Sequence, residues 1–125
     1  MRLLLDTHAL IWWLEDSVEL SAEARQSIAD GSNDVAVSAA SAWEMAIKEA
    51  LGKLSVPSDL AEQIDRSALQ ALPITIEHAF KAGSLPPHHP DPFDRMLIAQ
   101  AVIDDWTIVT RDPRFESYGV KVLRT

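Results

Sequence analysis

Four acidic residues stand where predicted strands give way to helices. They are Asp6, Glu44, Asp94 and Asp112. In an open parallel sheet such junctions lie along one edge, so carboxylates that are distant in sequence can meet in one cleft. Carboxylate oxygens are the ligands that hard divalent cations prefer. The positions of these acids therefore predict a shared divalent metal site.

Each of the four acids also has a purely structural interpretation. Asp6 and Asp112 can each cap a following helical turn. Glu44 has capping-box spacing from Ser41, and Asp94 lies in a predicted first helical turn, where the helix dipole favours acids. Capping does not require four carboxylates at one edge, however. Two unit charges about 4 Å apart repel by roughly 4 kcal/mol at an effective dielectric near 20, and a bound cation offsets that cost.

Strands and helices alternate along the rest of the sequence. Short apolar or β-branched runs predict strands over residues 3–5, 34–37, 72–74, 107–110 and 120–123. Apolar residues at helical spacing predict helices over residues 7–14, 21–30, 39–51, 77–83 and 92–104, with a further helix capped by Ser58. Strands separated by helices imply parallel pairing with right-handed crossovers. We therefore predict an α/β fold, a three-layer α/β/α sandwich around a central parallel sheet of four to five strands, in one domain over residues 1–125.

Local signals mark several element ends. Gly31 and Gly52 are predicted to end helices, and Asp91 followed by Pro92 is predicted to begin one as N-cap and first helical residue. The last predicted strand is the least regular feature. Only nine residues separate Thr110 from Val120, fewer than a parallel crossover usually needs.

Composition limits the classes of function. The 125 residues carry 19 acidic against 11 basic side chains, a net charge of −8, so bulk charge opposes binding to nucleic acid. A polyanionic substrate would need local help from bound cations, and a basic partner protein would be attracted. The absence of cysteine fits a reducing compartment, and no apolar run reaches the roughly 20 residues of a membrane span. We expect a soluble, cytoplasmic protein without membrane contact.

Four segments together resemble the PIN-domain family in their order and spacing. They are residues 3–9 (LLLDTHA), 37–48 (VSAASAWEMAIK), 91–101 (DPFDRMLIAQA) and 108–112 (IVTRD). More narrowly, they look like the VapC type, the toxin halves of bacterial and archaeal toxin–antitoxin pairs. Each segment alone is a weak signal, but the combination is specific and extends over almost the whole chain.

The resemblance implies a metal-dependent endoribonuclease. By position, Asp6, Glu44, Asp94 and Asp112 match the acidic quartet that such domains use to hold one or two Mg²⁺ or Mn²⁺ ions for cutting RNA. Thr110 matches a supporting hydroxyl position. Asp91 is an additional acid, which we interpret first as a helix cap and second as an outer-shell ligand. The resemblance also implies an antitoxin partner and a homodimer.

Basic and histidine side chains near the acids have two interpretations. Lys48, Arg95 and Arg111 could reach a phosphate of the substrate, but the spacing favours pairing with the adjacent carboxylates as their main role. His8 follows Asp6 by two residues and could touch substrate. The other histidines, His78, His88 and His89, are predicted to lie at the surface.

Two other classes of function remain open at this point. A phospho-receiver domain has a similar length and an acidic magnesium pocket, but it needs an acceptor aspartate after a mid-chain strand, where Thr75 follows here. A non-catalytic binding module would use the acids as caps and dock a basic partner. Trp12, Trp13 and Leu14 are predicted to leave an exposed apolar patch that suits a partner protein or a second copy.

Overall fold

A computed structural model describes residues 1–125 and contains a sheet of five strands, all paired in parallel. The strands are β1 (Arg2–Leu5), β2 (Asp34–Ser38), β3 (Gln70–Leu72), β4 (Thr107–Thr110) and β5 (Val122–Arg124). Their order across the sheet is β3-β2-β1-β4-β5. The chain builds outward from β1 in one direction and then returns to build in the other.

Six α-helices and one 3₁₀ helix connect the strands. They are α1 (Thr7–Leu14), α2 (Ala22–Ala29), α3 (Ala39–Ala50), α4 (Leu60–Arg66), α5 (Ile76–Ser84), α6 (Pro92–Asp104) and the 3₁₀ helix Pro113–Tyr118. None of these helices is long and apolar enough to pass through a lipid bilayer.

Alternation along β1 separates two hydrophobic cores. Leu3 and Leu5 pack on one face of the sheet with residues of α1, α2 and α3, whereas Leu4 packs on the other face with residues of α6 and the 3₁₀ helix. All three leucines are fully buried. This is the pattern expected of a parallel strand covered on both sides. The predicted three-layer α/β/α sandwich is thus confirmed.

The change of direction between β1 and β4 positions the candidate site. In open α/β sheets, the crevice outside the carboxyl ends of the strands at such a reversal is where ligands bind. The order 3-2-1-4-5 also differs from the 2-1-3-4-5 order of receiver-like domains. In addition, Pro73 rather than an acid follows β3.

Two strand predictions need correction. β3 ends at Leu72 instead of extending to Ile74, since Pro73 has no N–H to donate to a ladder. β5 begins at Val122 rather than Val120. β4 and β5 nevertheless pair in parallel despite the short connection between them. A single 3₁₀ helix spans this connection, and its Phe115 is fully buried in the core.

Several predicted helix ends are confirmed and others are shifted. Asp91 caps α6 by accepting from the backbone N–H groups of Phe93 and Asp94, and Gly52 follows α3 with φ +71°. The cap of α3 is Ser38 rather than Ser41, so the capping-box interpretation of Glu44 is wrong. Gly31 has no left-handed conformation, since α2 ends in an extended residue instead.

The prediction of an exposed apolar patch in the N-terminal half of the chain was also wrong. Trp12, Trp13 and Leu14 are half-buried against the first core instead of forming an exposed patch. The large exposed apolar side chains lie elsewhere, at Trp43 on α3 and at Phe80 on α5.

His78 is buried as well, contrary to its predicted surface position. It completes a capping box with Thr75, and its Nε2 lies 2.7 Å from a carboxylate oxygen of Asp104. Asp104 lies 26 residues away from His78 in sequence, so local patterns did not connect the two side chains. The imidazole therefore fixes the start of α5 against the end of α6.

Arg95 secures the proline-rich loop between α5 and α6. Its guanidinium donates to the carbonyl oxygens of Ala82 at 2.9 Å, Leu85 at 2.7 Å, Pro86 at 2.9 Å and His89 at 3.3 Å. The predicted pairing of Arg95 with neighbouring carboxylates is thus replaced by pairing with backbone, and this side chain stabilises the loop.

Replacing Arg95 should therefore destabilise the fold. We expect Arg95→Met to lower the free energy of unfolding by about 2–4 kcal/mol, because it leaves several carbonyl groups without a charged donor. Arg95→Lys should recover only part of the loss, since one ammonium group cannot span a fan of acceptors. Urea unfolding measures both values. Arg66→Met, which removes an exposed ion pair, is the control and should change stability by less than about 1 kcal/mol.

Candidate functional site

Asp6 is the single residue between the end of β1 and the start of α1. One carboxylate oxygen accepts from the backbone N–H of Ala9 at 2.8 Å, and the other accepts from the hydroxyl of Thr110 at 2.6 Å. The side chain is buried. Asp6 is therefore both a helix cap and part of a buried polar cluster, so its two interpretations are compatible.

Thr110 connects two of the predicted acids across the crevice. It is the last residue of β4, the strand that pairs with β1. Its hydroxyl donates to Asp6 and accepts from the backbone N–H of Asp112 at 3.1 Å. The hydroxyl thus fixes the distance between the carboxyl ends of the two central strands.

Glu44 reaches the same edge from α3. The buried positions of this helix are Ala40, Ser41, Glu44 and Met45, which share one face at helical spacing. One carboxylate oxygen of Glu44 accepts from the hydroxyl of Thr7 at 2.6 Å, and the other lies 2.8 Å from the ammonium of Lys48. Thr7 follows Asp6 in sequence, so it brings Glu44 next to the end of β1.

Asp94 lies in the first turn of α6 and faces the other acids. Burial, together with repulsion by Asp91, Asp6, Glu44 and Asp112, raises the pKa of its carboxyl to about 7. Burial likewise raises the pKa of Asp6. These shifts show that the folded chain holds negative charge here at an energetic cost.

Asp112 follows β4 and is the best compensated of the four acids. Its carboxylate is bound by the guanidinium of Arg114 in a fork, with contacts of 2.8–3.2 Å. These hydrogen bonds lower the pKa of Asp112 to about 2. Asp112 also accepts from the N–H of Arg114 and so caps the 3₁₀ helix, as its structural interpretation predicted.

His89 joins the cluster, although it was predicted to lie at the surface. Its side chain is 1 % exposed, and Nε2 lies 2.9 Å from Asp94 Oδ2 and 3.2 Å from Asp112 Oδ2. His89, Asp94 and Asp112 form the one group of three candidate metal-ligating side chains whose ligand atoms all lie within 4.8 Å of one another. The one feature of the sequence that could have indicated this location is that His89 lies two residues before Asp91, the cap of the helix that carries Asp94.

The other predicted site residues either line a cleft beside the acids or pair with one of them. His8, Trp12 and Arg111 line an open cleft of about 360 Å³ together with Asp6 and Asp112. The guanidinium of Arg111 lies 4.4 Å from the ring centroid of Trp12 and pairs with Glu19 instead of the neighbouring Asp112. Lys48 pairs with Glu44, as the sequence favoured.

The donor set fits a hard divalent cation. Asp6, Glu44 and Asp94 supply carboxylate oxygens from three parts of the chain, and the pKa values of Asp6 and Asp94 are raised first by burial and also by repulsion from neighbouring acids. A cation would relieve this repulsion, whereas the lysine and arginine present compensate mainly Glu44 and Asp112. The chemistry that follows is the activation of water and the stabilisation of developing negative charge.

Comparison with known proteins agrees with the fold and with the sequence pattern. The family model of the PIN domain matches residues 3–121. The chain is 35 % identical over 123 residues to ribonuclease VapC22 of Mycobacterium tuberculosis, and the match covers 92 % of this chain and 90 % of that protein.

Solved structures of similar fold come from toxin–antitoxin complexes. VapBC2 of Rickettsia felis, bound to a DNA fragment from its promoter, matches with a TM-score of 0.73 at 16 % identity and covers 99 % of this chain and 98 % of that chain. DNA-bound VapBC of Salmonella typhimurium gives 0.72 at 17 % identity with the same coverage. FitAcB of Neisseria gonorrhoeae gives 0.66 at 21 % identity, covering 97 % and 96 % of the two chains. With the family model matched over almost its whole length, the chain belongs to the PIN-domain family.

Proposed function

We propose that this protein is a metal-dependent endoribonuclease, the toxin component of a VapBC-type toxin–antitoxin pair. The observation that carries this proposal is the crowding of carboxylates around Asp94, whose pKa is raised to about 7, in a chain related to a ribonuclease. The reaction is hydrolysis of RNA phosphodiester bonds with Mg²⁺ or Mn²⁺, as one or two ions.

Asp6, Glu44 and Asp94 hold the cation in this proposal, either directly through oxygen or through water. When bound, the ion lowers the pKa of water and stabilises the negative charge that develops on the phosphate. The hydroxyls of Thr7 and Thr110 orient the carboxylates of Glu44 and Asp6. Asp112 completes the site from the other side of Thr110, and Asp91 supports it as the cap of α6.

RNA approaches through the cleft lined by His8, Trp12 and Arg111. A chain with a net charge of −8 does not attract RNA by bulk charge, so local groups have to do so. The guanidinium of Arg111 lies over the ring of Trp12. The guanidinium suits a phosphate of RNA, and the aromatic ring suits a neighbouring nucleobase. Lys48 binds Glu44 and is 41 % exposed at its side chain, which leaves its ammonium within reach of a phosphate.

The partners follow from the same family relation. The structures of similar fold are complexes of VapBC or FitAB type. We therefore propose an antitoxin protein as the partner, a homodimer as the assembly, and the cytoplasm as the site of action. The acidic surface of this chain favours a partner that presents basic side chains.

Removal of single carboxylates should abolish cleavage. Purified protein with Mn²⁺ and a mixed RNA pool is expected to cut RNA, and Asp6→Asn and Asp94→Asn are each expected to slow cleavage by more than about 100-fold, a barrier increase of about 2.7 kcal/mol. Asp105→Asn is a matched control, because this exposed acid lies at the opposite end of α6 from Asp94. Its left-handed backbone conformation accepts asparagine. Equal cleavage by all four proteins would point to a contaminating nuclease and contradict the proposal.

The stability of the protein should depend on pH and metal in a specific way. Between about pH 4 and pH 7 the folded state binds more protons than the unfolded state at Asp94, so without metal the free energy of unfolding should fall as the pH rises through this window. Protons and cations compete for this carboxylate, so Mn²⁺ should raise the melting temperature more at pH 8 than at pH 6.

Asp94→Asn removes the carboxyl group with the raised pKa. The variant should therefore be more stable than wild type without metal but should gain less stability from metal. Without metal at pH 8, the variant should be more stable than wild type by at least about 1 kcal/mol, since each pKa unit corresponds to about 1.4 kcal/mol. It should also lose most of the stabilisation by Mn²⁺. Thermal unfolding at both pH values measures these effects, with Asp105→Asn again as control. A wild type that shows no response to millimolar Mn²⁺ at pH 8 would favour a non-catalytic binding module.

A further inference from the structure

His89 is held in a single orientation beneath the acidic cluster. Its ring packs edge-on against Phe115, with centroids 5.8 Å apart and planes at 89°. Its backbone N–H donates to the hydroxyl of Tyr118 at 2.8 Å, and its carbonyl accepts from Arg95. These contacts fix both the backbone and the ring plane, although the residue lies in a proline-rich loop.

The tautomer of this histidine follows from its hydrogen bonds. The backbone N–H of Asp91 donates to Nδ1 at 3.2 Å. A backbone N–H can only donate, so Nδ1 is an acceptor and the ring proton resides on Nε2. Nε2 is thereby a donor and has no lone pair for a metal ion.

The Nε2–H group of His89 lies between the carboxylates of Asp94 and Asp112 but makes a well-directed hydrogen bond with neither. Nε2 lies 2.9 Å from Asp94 and 3.2 Å from Asp112, yet it is a buried nitrogen without a well-directed hydrogen bond. A buried donor in this condition is energetically unfavourable. Such a cost is tolerated where a group serves a site, and both neighbours of this nitrogen are acids of the proposed metal centre.

We propose that His89 is a positioning residue whose Nε2–H holds the carboxylates of Asp94 and Asp112 side by side for a shared cation. This inference rests on the proposed function, because it gives His89 a task only if these acids bind an ion. Arg114 binds Asp112 from the solvent side, and Nε2 of His89 lies 3.2 Å from the same carboxylate on the interior side. Partners that orient ligating groups in this way commonly contribute about 10- to 100-fold to metal affinity.

Two substitutions separate a donor from a packing residue. His89→Gln keeps an N–H near the position of Nε2 but loses the aromatic ring, whereas His89→Phe keeps the ring against Phe115 but loses the donor. We expect His89→Phe to weaken Mn²⁺ binding by about 10- to 100-fold and His89→Gln to keep most of the affinity, as measured by calorimetry. A packing role alone would give the reverse order, with His89→Phe close to wild type. The controls are His88→Gln and His88→Phe at the exposed neighbouring histidine, which should leave Mn²⁺ affinity unchanged.

Further readouts keep the inference testable whatever the variants do. Nitrogen NMR of metal-free wild type should show a proton on Nε2 of His89, and a proton on Nδ1 instead would overturn the proposal even if the variants fail to fold. Pulsed EPR of the Mn²⁺-loaded wild type should show no directly bonded nitrogen, and a coupling that disappears in His89→Gln would make His89 a ligand instead. Wild type that does not bind Mn²⁺ would refute the proposed function itself, whereas equal binding by wild type and His89→Phe would refute only the role of His89.

Discussion

The burial of closely spaced carboxylates, together with their mutual repulsion, is the constraint around which this molecule is arranged. Asp94 is the group most affected, because burial and four acidic neighbours all act on it. The surrounding donors limit the repulsion without removing it. Two threonine hydroxyls, one lysine and one arginine each bind one acid, and every one of them has a fixed place at the end of a strand or within a helical turn. The sheet edge is thus built to hold charge that its own residues do not fully balance.

The sequence predicted those features that depend on neighbours along the chain. Asp6 follows an apolar run that is buried on both sides, and Asp91 with Pro92 is a local helix-start signal, so the strand-to-helix junctions were recognisable. The reversal of strand order between β1 and β4 was not predicted, because right-handed crossovers between alternating elements are compatible with several strand orders. The capping interpretation of Asp6 was correct, since one of its oxygens caps α1, whereas its role as a metal ligand stays a prediction.

The missed features depend on contacts between distant segments. A loop rich in proline and histidine is usually solvent-exposed, but three of its carbonyl groups bind Arg95, and His89 within it is buried. Nothing in the sequence around Arg95 distinguishes a guanidinium that binds backbone from one that binds phosphate. His78 was misjudged for the same reason, because its partner Asp104 lies 26 residues away.

The shared duty of Asp6 has an evolutionary consequence. Asparagine caps helices about as well as aspartate, and the Thr110 hydroxyl can rotate to accept from an amide instead of donating to a carboxylate. A single base change in a gene copy can therefore silence the hydrolytic chemistry without disturbing the scaffold. Such a copy would persist as an inert decoy that still competes for the inhibitor of its active relatives.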